Sequence, residues 1–267
     1  QIYLPEAIKA PTRNGESIRL DQLSNHTSSL PRLPGNMNPG NPANPYADYS
    51  EKQLYDFLNQ CTLTRDIGSQ YEYSNYAQGL LGNVLAKKSG VPYEQLMIDV
   101  IAKPLGLKNT RIALTPEMEK NLAKGHAGGS EVANWDIPSL AGAGAIRSTA
   151  VDMAKYVSAN MGLDNSKLHP AMQLSHKNSR AEGSAPAVGL GWHIMNTDGL
   201  EIVWHNGGTG GYRTFIGFVK GKNKGVVVLS NANVSIDDIG FHLLNPEAPL
   251  KAIGGSIAVH QADLERY

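Results

Sequence analysis

The chain has 267 residues, with 24 Lys plus Arg balanced by 24 Asp plus Glu, so its formal net charge is zero. No global field draws such a chain toward nucleic acid or an anionic membrane, which removes polyanion-binding functions and leaves no nucleic-acid partner. With 41% hydrophobic and 18% charged residues it has a folded, globular balance, and its length fits one large domain or two lobes on a shared core.

In chain order, Gln1-Ile2-Tyr3-Leu4-Pro5 carries neither an initiator Met nor a signal-peptide pattern, and reads as continuing from something longer. Between Pro34 and Pro45, ten of twelve residues are Pro, Gly or Asn, which forbids regular structure. A segment of that kind either edges a binding cleft or acts as a spacer. Ser50 with Gln53 has capping-box spacing, and Leu54, Phe57, Leu58 and Cys61 follow at helical period. Cys61, the one cysteine, has no second thiol for a disulfide or a zinc cluster and reads as a core thiol on that helix. Ala77, Leu80, Leu81, Val84 and Leu85 form a second stripe, stopped by Gly90 and Pro92. Tyr93, Leu96, Met97, Val100 and Ile101 form a third, before Pro104. Thr149 and Asp152 cap a fourth helix with Ala150, Met153, Ala154 and Val157 inward and Gly162 at its end.

After about residue 188 the period changes. Leu200 to Trp204, Tyr212 to Val219 and Gly225 to Asn231 read as strands separated by Gly-rich turns, the last two as an antiparallel hairpin. Ser235 to Leu244 reads as a closing helix. Helices first and strands later predict an α/β (α+β) fold: an antiparallel sheet flanked by helices, plus a mainly helical lobe. No apolar run is long enough to span a membrane.

Five segments could carry chemistry. Gly68 to Asn75 delivers Tyr73 and Asn75 to a helix start, where Asn75 is either a site residue or a helix cap and Tyr73 either reactive or packing. Trp204-His205-Asn206-Gly207-Gly208-Thr209-Gly210-Gly211-Tyr212 sets a His beside four glycines. That arrangement admits a ligand close to backbone N–H groups or makes a tight hairpin with an incidental His. Leu23 to Pro31 is rich in hydroxyls around His26, but a run this polar tends to satisfy its own turn. Gly142 to Thr149 reads as small-residue packing into a helix cap. The other histidines, His126, His169, His176, His193, His242 and His260, lack helical metal-pair spacing.

Together, and in this order, the segments resemble the serine beta-lactamase and penicillin-binding-protein-like superfamily, in its class C beta-lactamase and esterase branch. The likeness runs through His26-Thr27-Ser28 with Leu30-Pro31, Tyr73-Ser74-Asn75, Pro104-Leu105-Gly106-Leu107, and Ser148-Thr149-Ala150 with Asp152-Met153. It continues through Gly189-Leu190-Gly191-Trp192, His205-Asn206-Gly207-Gly208 and the strand Gly225 to Asn231. The resemblance implies a beta-lactamase/transpeptidase-like domain over 1–267, with a helical lobe at about 16–187, a sheet lobe at about 188–245 and a tail at 246–267. It implies acyl-enzyme chemistry on an amide or ester (beta-lactam, D-amino-acid peptide or short ester), with no cofactor and no metal. Tyr73 would be the base and proton shuttle, and Asn75 would hold the substrate amide or the catalytic Lys. His205 would fill the strand-motif position, supporting the Tyr73 network or a substrate carboxylate, and Gly207 with Gly208 would approach the oxyanion. Periplasmic or secreted location is implied in the same way.

Two features depart from that pattern. No serine has a lysine three residues on, so the Ser-x-x-Lys nucleophile is expected to lie upstream of a chain shortened at its N-terminus, leaving these residues alone inactive. A His stands where relatives often carry Lys, a weaker permanent anchor for a carboxylate. Ser29, where relatives commonly have Gly, is a smaller departure. Ala262 to Tyr267 resembles the entry to an appended β-barrel. The lost strands would leave an uncovered sheet edge through which copies associate. The rival reading is a non-catalytic binding module on the same fold.

Overall fold

The computed structural model describes residues 1–180 and 184–251; the expectations for Ala262 to Tyr267 and for His260 lie outside them. The first half carries two short hairpin strands, β1 (Thr12–Arg13) and β2 (Glu16–Ser17), then helices α1 (Leu20–Ser24), α2 (Glu51–Gln60), α3 (Asn75–Ser89), α4 (Tyr93–Met97) and α5 (Pro116–Lys120). A second small hairpin, β3 (His126–Ala127) with β4 (Ser130–Glu131), precedes α6 (Ala150–Met161) and α7 (His169–Ser175). The sheet follows as β5 (Ala187–Val188), β6 (His193–Thr197), β7 (Leu200–Thr209), β8 (Tyr212–Val219) and β9 (Lys224–Ser230). It is antiparallel throughout, in sequential order, and α8 (Asp237–Leu244) is the last element among the described residues.

The sheet is covered on both sides by the alternation of its strands. Val203 and Phe218 face one way and pack with Trp192 against Val157 of α6. Ile202, Phe215 and Val219 face the other way, against Phe241 and Leu244 of α8. Each such fully buried side chain contributes roughly 2 kcal/mol of apolar transfer. β9 is an edge strand.

The helix signals mostly hold. Ser50 caps α2 reciprocally with Gln53, and Gly90 and Gly162 end α3 and α6 at φ 74°, a conformation that favours glycine. Three details differ. The stripe from Tyr93 stays α-helical only to Met97 and then widens into a π turn over Ile98–Ala102, where the Lys103 N–H reaches the Ile98 carbonyl (2.8 Å). The extra residue rotates Val100 into solvent and Ala102 inward. On α6, Ala150 and Ala154 are exposed, while Asp152, Val157, Ala159 and Asn160 are buried. The cause is the Asp152 carboxylate, which accepts from Asn109 N (2.6 Å) and Thr110 Oγ1 (2.9 Å) and turns its own face inward. Cys61 is half-buried at the C-cap of α2 in extended conformation, rather than within the helix.

The sheet corrects the sequence reading more. β7 does not end at Trp204 but runs through Gly207 and Gly208 to Thr209, because each of these residues registers with β8. Only Gly210 and Gly211 form the turn. β5 and β6 were not expected: His-Ile-Met-Asn-Thr is short, lacks a clear apolar alternation and is a strand because β7 pairs with it.

The loop from Pro34 to Pro45 contains no helix or strand, as expected. It is anchored nonetheless. Asn44 and Asp136 exchange two hydrogen bonds (2.9 and 2.8 Å), and Tyr46 packs on Trp135. It forms a wall of a cavity rather than a spacer.

Ser29 has φ 64°, a left-handed conformation in which a Cβ is unfavourable. Its Oγ compensates by donating to the Arg65 carbonyl (2.8 Å) and accepting from the Arg65 N–H (3.2 Å). Ser29→Ala keeps the strain and loses both bonds, so urea unfolding should show a loss of about 2 kcal/mol. Ser29→Gly loses the bonds but relaxes the backbone and should cost less than half as much; equal losses for the two variants would remove this account.

Candidate active site

The site starts from a buried turn. Asn25 to Leu30 is buried throughout, although five of its six residues are polar. Within it, Thr27 Oγ1 donates to Asn25 Oδ1 (2.6 Å) and the Leu30 N–H reaches Ser28 Oγ (3.3 Å), so much of the polarity is satisfied locally, as the sequence predicted. The remainder is directed outward. The Thr27 carbonyl accepts from Gly68 N (2.8 Å), the His26 carbonyl from Glu72 N (2.8 Å), and His26 Nδ1 from Ser74 N (3.1 Å). His26 adopts φ 61° to present both groups to one neighbouring strand of chain.

That brace fixes the start of α3. Ser74 is the N-cap; its Oγ accepts from Ala77 N (2.9 Å) and donates to the Pro31 carbonyl (2.6 Å). The Arg32 carbonyl takes the N–H groups of Asn75 (3.0 Å) and Tyr76 (3.2 Å). The first orphan donors of the helix are thus satisfied from the 31–32 segment, which sets the helix in place against the turn. Ser74, not Asn75, is the cap, which leaves the Asn75 side chain free to reach the Tyr46 phenol.

Tyr73 and His205, far apart in sequence, meet here with ring centroids 6.3 Å apart. The rings form a continuous run across the junction of helices and sheet. Trp204 packs on His193 (4.8 Å), His193 stacks on His205 (5.0 Å, 25°), and Tyr73 lies 4.3 Å from His26, itself edge-on to Tyr71. The Arg32 guanidinium stands 5.2 Å from the centre of the Tyr73 ring. Beyond His205, Gly207 and Gly208 lie in β7, where β6 has already ended, so residues 205–209 register with β8 alone. A Cβ on Gly207 would come 2.5 Å from Thr214 Oγ1. Tyr73, Asn75, His205, Gly207 and Gly208 therefore belong to two neighbouring segments, the start of α3 and the open end of β7.

The electrostatics are those of a neutral site. Burial pulls His26 down to about 3, aided by His205, His193 and Arg32, and pulls His193 down to about 4. Burial lowers His205 too, against the opposing Asn206 carbonyl, with which its Nδ1 pairs at 2.6 Å. With Nδ1–H donating, the neutral ring leaves Nε2 as an acceptor. His205 is thus less of a cation than an ordinary histidine. Burial raises Tyr73, partly offset by Arg32, and the Tyr46 phenol is raised likewise.

Several participants were not singled out from the sequence. His193 arrives on the unexpected β6, and Arg32, Tyr46 and Tyr71 lie beside motif residues without belonging to one. Of the remaining histidines, His176 is a core residue whose Nε2 pairs with Asn160 Oδ1 (2.8 Å) among Trp192 and Phe218. His126 belongs to β3, while His169 and His242 pair with backbone carbonyls. The Gly142 segment packs its backbone against Gly82 of α3, and Thr149 caps α6, as read. A cavity of about 420 Å³ between α2, α3 and α4 contains none of the site residues.

Comparison with known proteins identifies the family. The Beta-lactamase family profile matches residues 1–243. The D-alanyl-D-alanine-carboxypeptidase/endopeptidase AmpH of Escherichia coli (strain K12) is 31% identical over 243 residues, 85% of this chain and 62% of that protein. A Beta-lactamase of the same strain is 28% identical over 200 residues, 62% of this chain and 53% of the relative. The chain thus spans less than two thirds of these relatives' length. Among solved structures, the Beta-lactamase/D-alanine Carboxypeptidase from Yersinia pestis complexed with citrate superposes with TM-score 0.73 at 29% identity, covering 86% of this chain and 69% of that one. The Beta-Lactamase/D-Alanine Carboxypeptidase from Pseudomonas syringae gives 0.76 at 20% identity, over 94% and 76%, a likeness of fold. The chain belongs to the Beta-lactamase family.

His26 and His193 are depressed in the fold, so their contribution to stability is complete above about pH 6.5 and is lost as pH falls toward 4 and then 3. Denaturation midpoints should therefore fall steeply below pH 6. Asparagine tolerates positive φ and its Oδ1 can accept from Ser74 N, so His26→Asn should fold and flatten that slope. His193 and the core His176, which burial also lowers to about 4, keep their share of the slope, so a variant slope as steep as the parent's would show that His26 is not one of the titrating groups.

Proposed function

We propose that, within the Beta-lactamase family, this chain carries the Tyr73 and oxyanion side of a serine acyl-transfer site. The complete enzyme would cleave amides or esters (beta-lactams, D-amino-acid peptides or short esters) through an acyl-enzyme. The observation that carries the reading is the meeting of Tyr73 and His205 beside the open end of β7. The carboxypeptidase and beta-lactamase names of the relatives support the substrate class.

A serine hydroxyl needs an adjacent base. In the proposed cycle its oxygen attacks the scissile carbonyl while its proton passes to the Tyr73 oxygen and on to the leaving nitrogen or oxygen. Water then repeats the sequence in reverse to release the acid. Tyr73 starts as a neutral phenol because burial outweighs Arg32, so its work as a base requires a further cation close by. No serine among the 267 residues has a lysine at the third position after it; in this reading a Ser-x-x-Lys outside them would supply both the nucleophile and that cation. These residues alone are inactive in this reading. Gly208 N–H would be one donor to the oxyanion, and removal of such a donor costs on the order of a hundredfold.

A neutral His205 does not act as a fixed countercharge. It offers Nε2 as an acceptor to the Tyr73 network, which favours esters, amides and D-amino-acid peptides over efficient antibiotic hydrolysis. Such a reaction belongs in the periplasm or outside the cell, the location we assign. The absence of Ser-x-x-Lys also fits a binding module that retains the cleft without acylation. The gene decides between them: an in-frame Ser-x-x-Lys upstream of Gln1 supports the enzyme.

A longer polypeptide including that motif should turn over a chromogenic cephalosporin or a short-chain nitrophenyl ester. In it, Tyr73→Phe should lower turnover by about a hundredfold or more while the melting temperature stays within a few degrees. Turnover of neither compound by the longer form sinks the enzyme reading, and unchanged turnover in Tyr73→Phe removes Tyr73 from the mechanism.

A further inference from the structure

Arg32 is placed by its own main chain. The Arg32 carbonyl accepts from the N–H groups of Asn75 (3.0 Å) and Tyr76 (3.2 Å), and the Pro31 carbonyl before it accepts from Ser74 Oγ (2.6 Å). These bonds tie residue 32 to the start of α3, just past Tyr73. The side chain lies back over that residue, with the guanidinium carbon 5.2 Å from the centre of the ring. A long, flexible side chain is thus rooted at a phenol by the capping of a helix.

The charge on Arg32 is not cancelled locally. The residue is exposed, and among the described residues its guanidinium has neither an ion pair nor a hydrogen bond. Glu72, the acid next to Tyr73 in sequence, is engaged by Arg65. The other groups facing the Tyr73 ring carry no charge near neutrality. His26 from the buried turn (4.3 Å) is pulled down to about 3 by burial, His205 from β7 (6.3 Å) is lowered by burial, and the Tyr46 phenol from the loop is raised by it. Burial raises Tyr73 as well, Arg32 opposes that, and Tyr46 adds to it. Arg32 also acts on His26, Tyr46 and Tyr71, so a full positive charge stands centrally among rings that carry none.

We propose that Arg32 is a positioning residue for the proton transfer: rooted at the start of α3, it keeps a positive charge on the Tyr73 ring and so eases the phenolate that takes the serine proton. The proposal rests on the acyl-transfer reading of this site. To act as a base the phenol first releases its own proton to solvent. A negative charge then rests on the ring and its oxygen until the serine proton neutralises it. A guanidinium over the ring is attracted to that charge more strongly than to the neutral ring, stays protonated at every working pH and stacks flat on aromatic faces. A lysine from outside these residues would then complete the cation field at Tyr73 rather than provide it alone.

The first measurement uses this chain itself and needs no turnover. Difluorotyrosine, whose phenol ionises well below that of tyrosine, is placed at position 73 and its ionisation is followed against pH by fluorine NMR. The midpoint should lie higher in Arg32→Gln than in the parent, with Arg32→Lys between them, since lysine keeps the charge without the planar face. High salt should raise the parent midpoint and leave that of Arg32→Gln nearly unmoved, because an exposed charge is screened. Circular dichroism checks folding, and should the Gln variant be unfolded, the salt series on the parent decides. In the longer polypeptide carrying Ser-x-x-Lys, Arg32→Gln should lower turnover at neutral pH roughly two- to fivefold, the scale of an exposed cation–π contact. That loss should be recovered as pH rises, with KM unchanged. A midpoint indifferent to residue 32, a parent midpoint indifferent to salt, or a turnover loss equal at every pH overturns the role of Arg32 and leaves the acyl-transfer reading standing. Turnover of neither the cephalosporin nor the nitrophenyl ester by the longer parent overturns that reading, and the role of Arg32 with it.

Discussion

The site depends on one hydrogen bond between main chain and ring, from Ser74 N to His26 Nδ1. It requires His26 to be neutral, because a protonated imidazole has no acceptor at that nitrogen, and it requires residue 26 to hold a left-handed backbone conformation. With the adjoining bond from Glu72 N to the His26 carbonyl, it holds the chain on both sides of Tyr73. The phenol is therefore positioned by contacts to its neighbours and, among the described residues, not by a bond to its own oxygen. Such an arrangement leaves that oxygen open for chemistry.

The same requirement accounts for the strain in the segment. His26 and Ser29 both have positive φ within four residues, at a cost of roughly 1–2 kcal/mol each. A conformation this costly persists only where its surroundings over-determine it. Here the two strained residues direct their polar groups in different directions, His26 to the 72–74 strand of chain and Ser29 to Arg65. The polar run that reads in sequence as a self-satisfying turn is therefore also the mould for the start of α3.

This mould was only partly legible. Helix α3 and its Gly90 stop follow from local signals, and so does the Ser50 cap. Tyr73, Asn75 and His205 stood out through the order of motifs, and the structure places them on two adjoining segments. The rest depends on contacts that no local pattern encodes. Ser74 takes the cap because Pro31 and Arg32 lie against it. β6 is a strand because β7 recruits it, and with it comes His193. Asp152 turns α6 because a loop more than forty residues earlier donates to it. The long Pro/Gly/Asn-rich loop shows nothing in its sequence of its docking on Asp136 and Trp135.

The division of charge across the cleft follows from these placements. Burial disfavours protonation of His26, His193 and His205, and neighbouring imidazoles lower His26 and His193 further. A site built of neutral rings presents acceptors and apolar faces, but it cannot hold an anion by itself. Positive charge beside the rings comes from arginines, among them Arg32, over Tyr73, and Arg213, over Gly208. They flank the site from different elements, one at the entry to α3 and one on β8. Moving either charge onto β7 would require a side chain where the two glycines leave the main chain bare. A Cβ at 207 or 208 would meet Thr214 or Arg213, so the bare strand and the displaced cation are two consequences of one constraint.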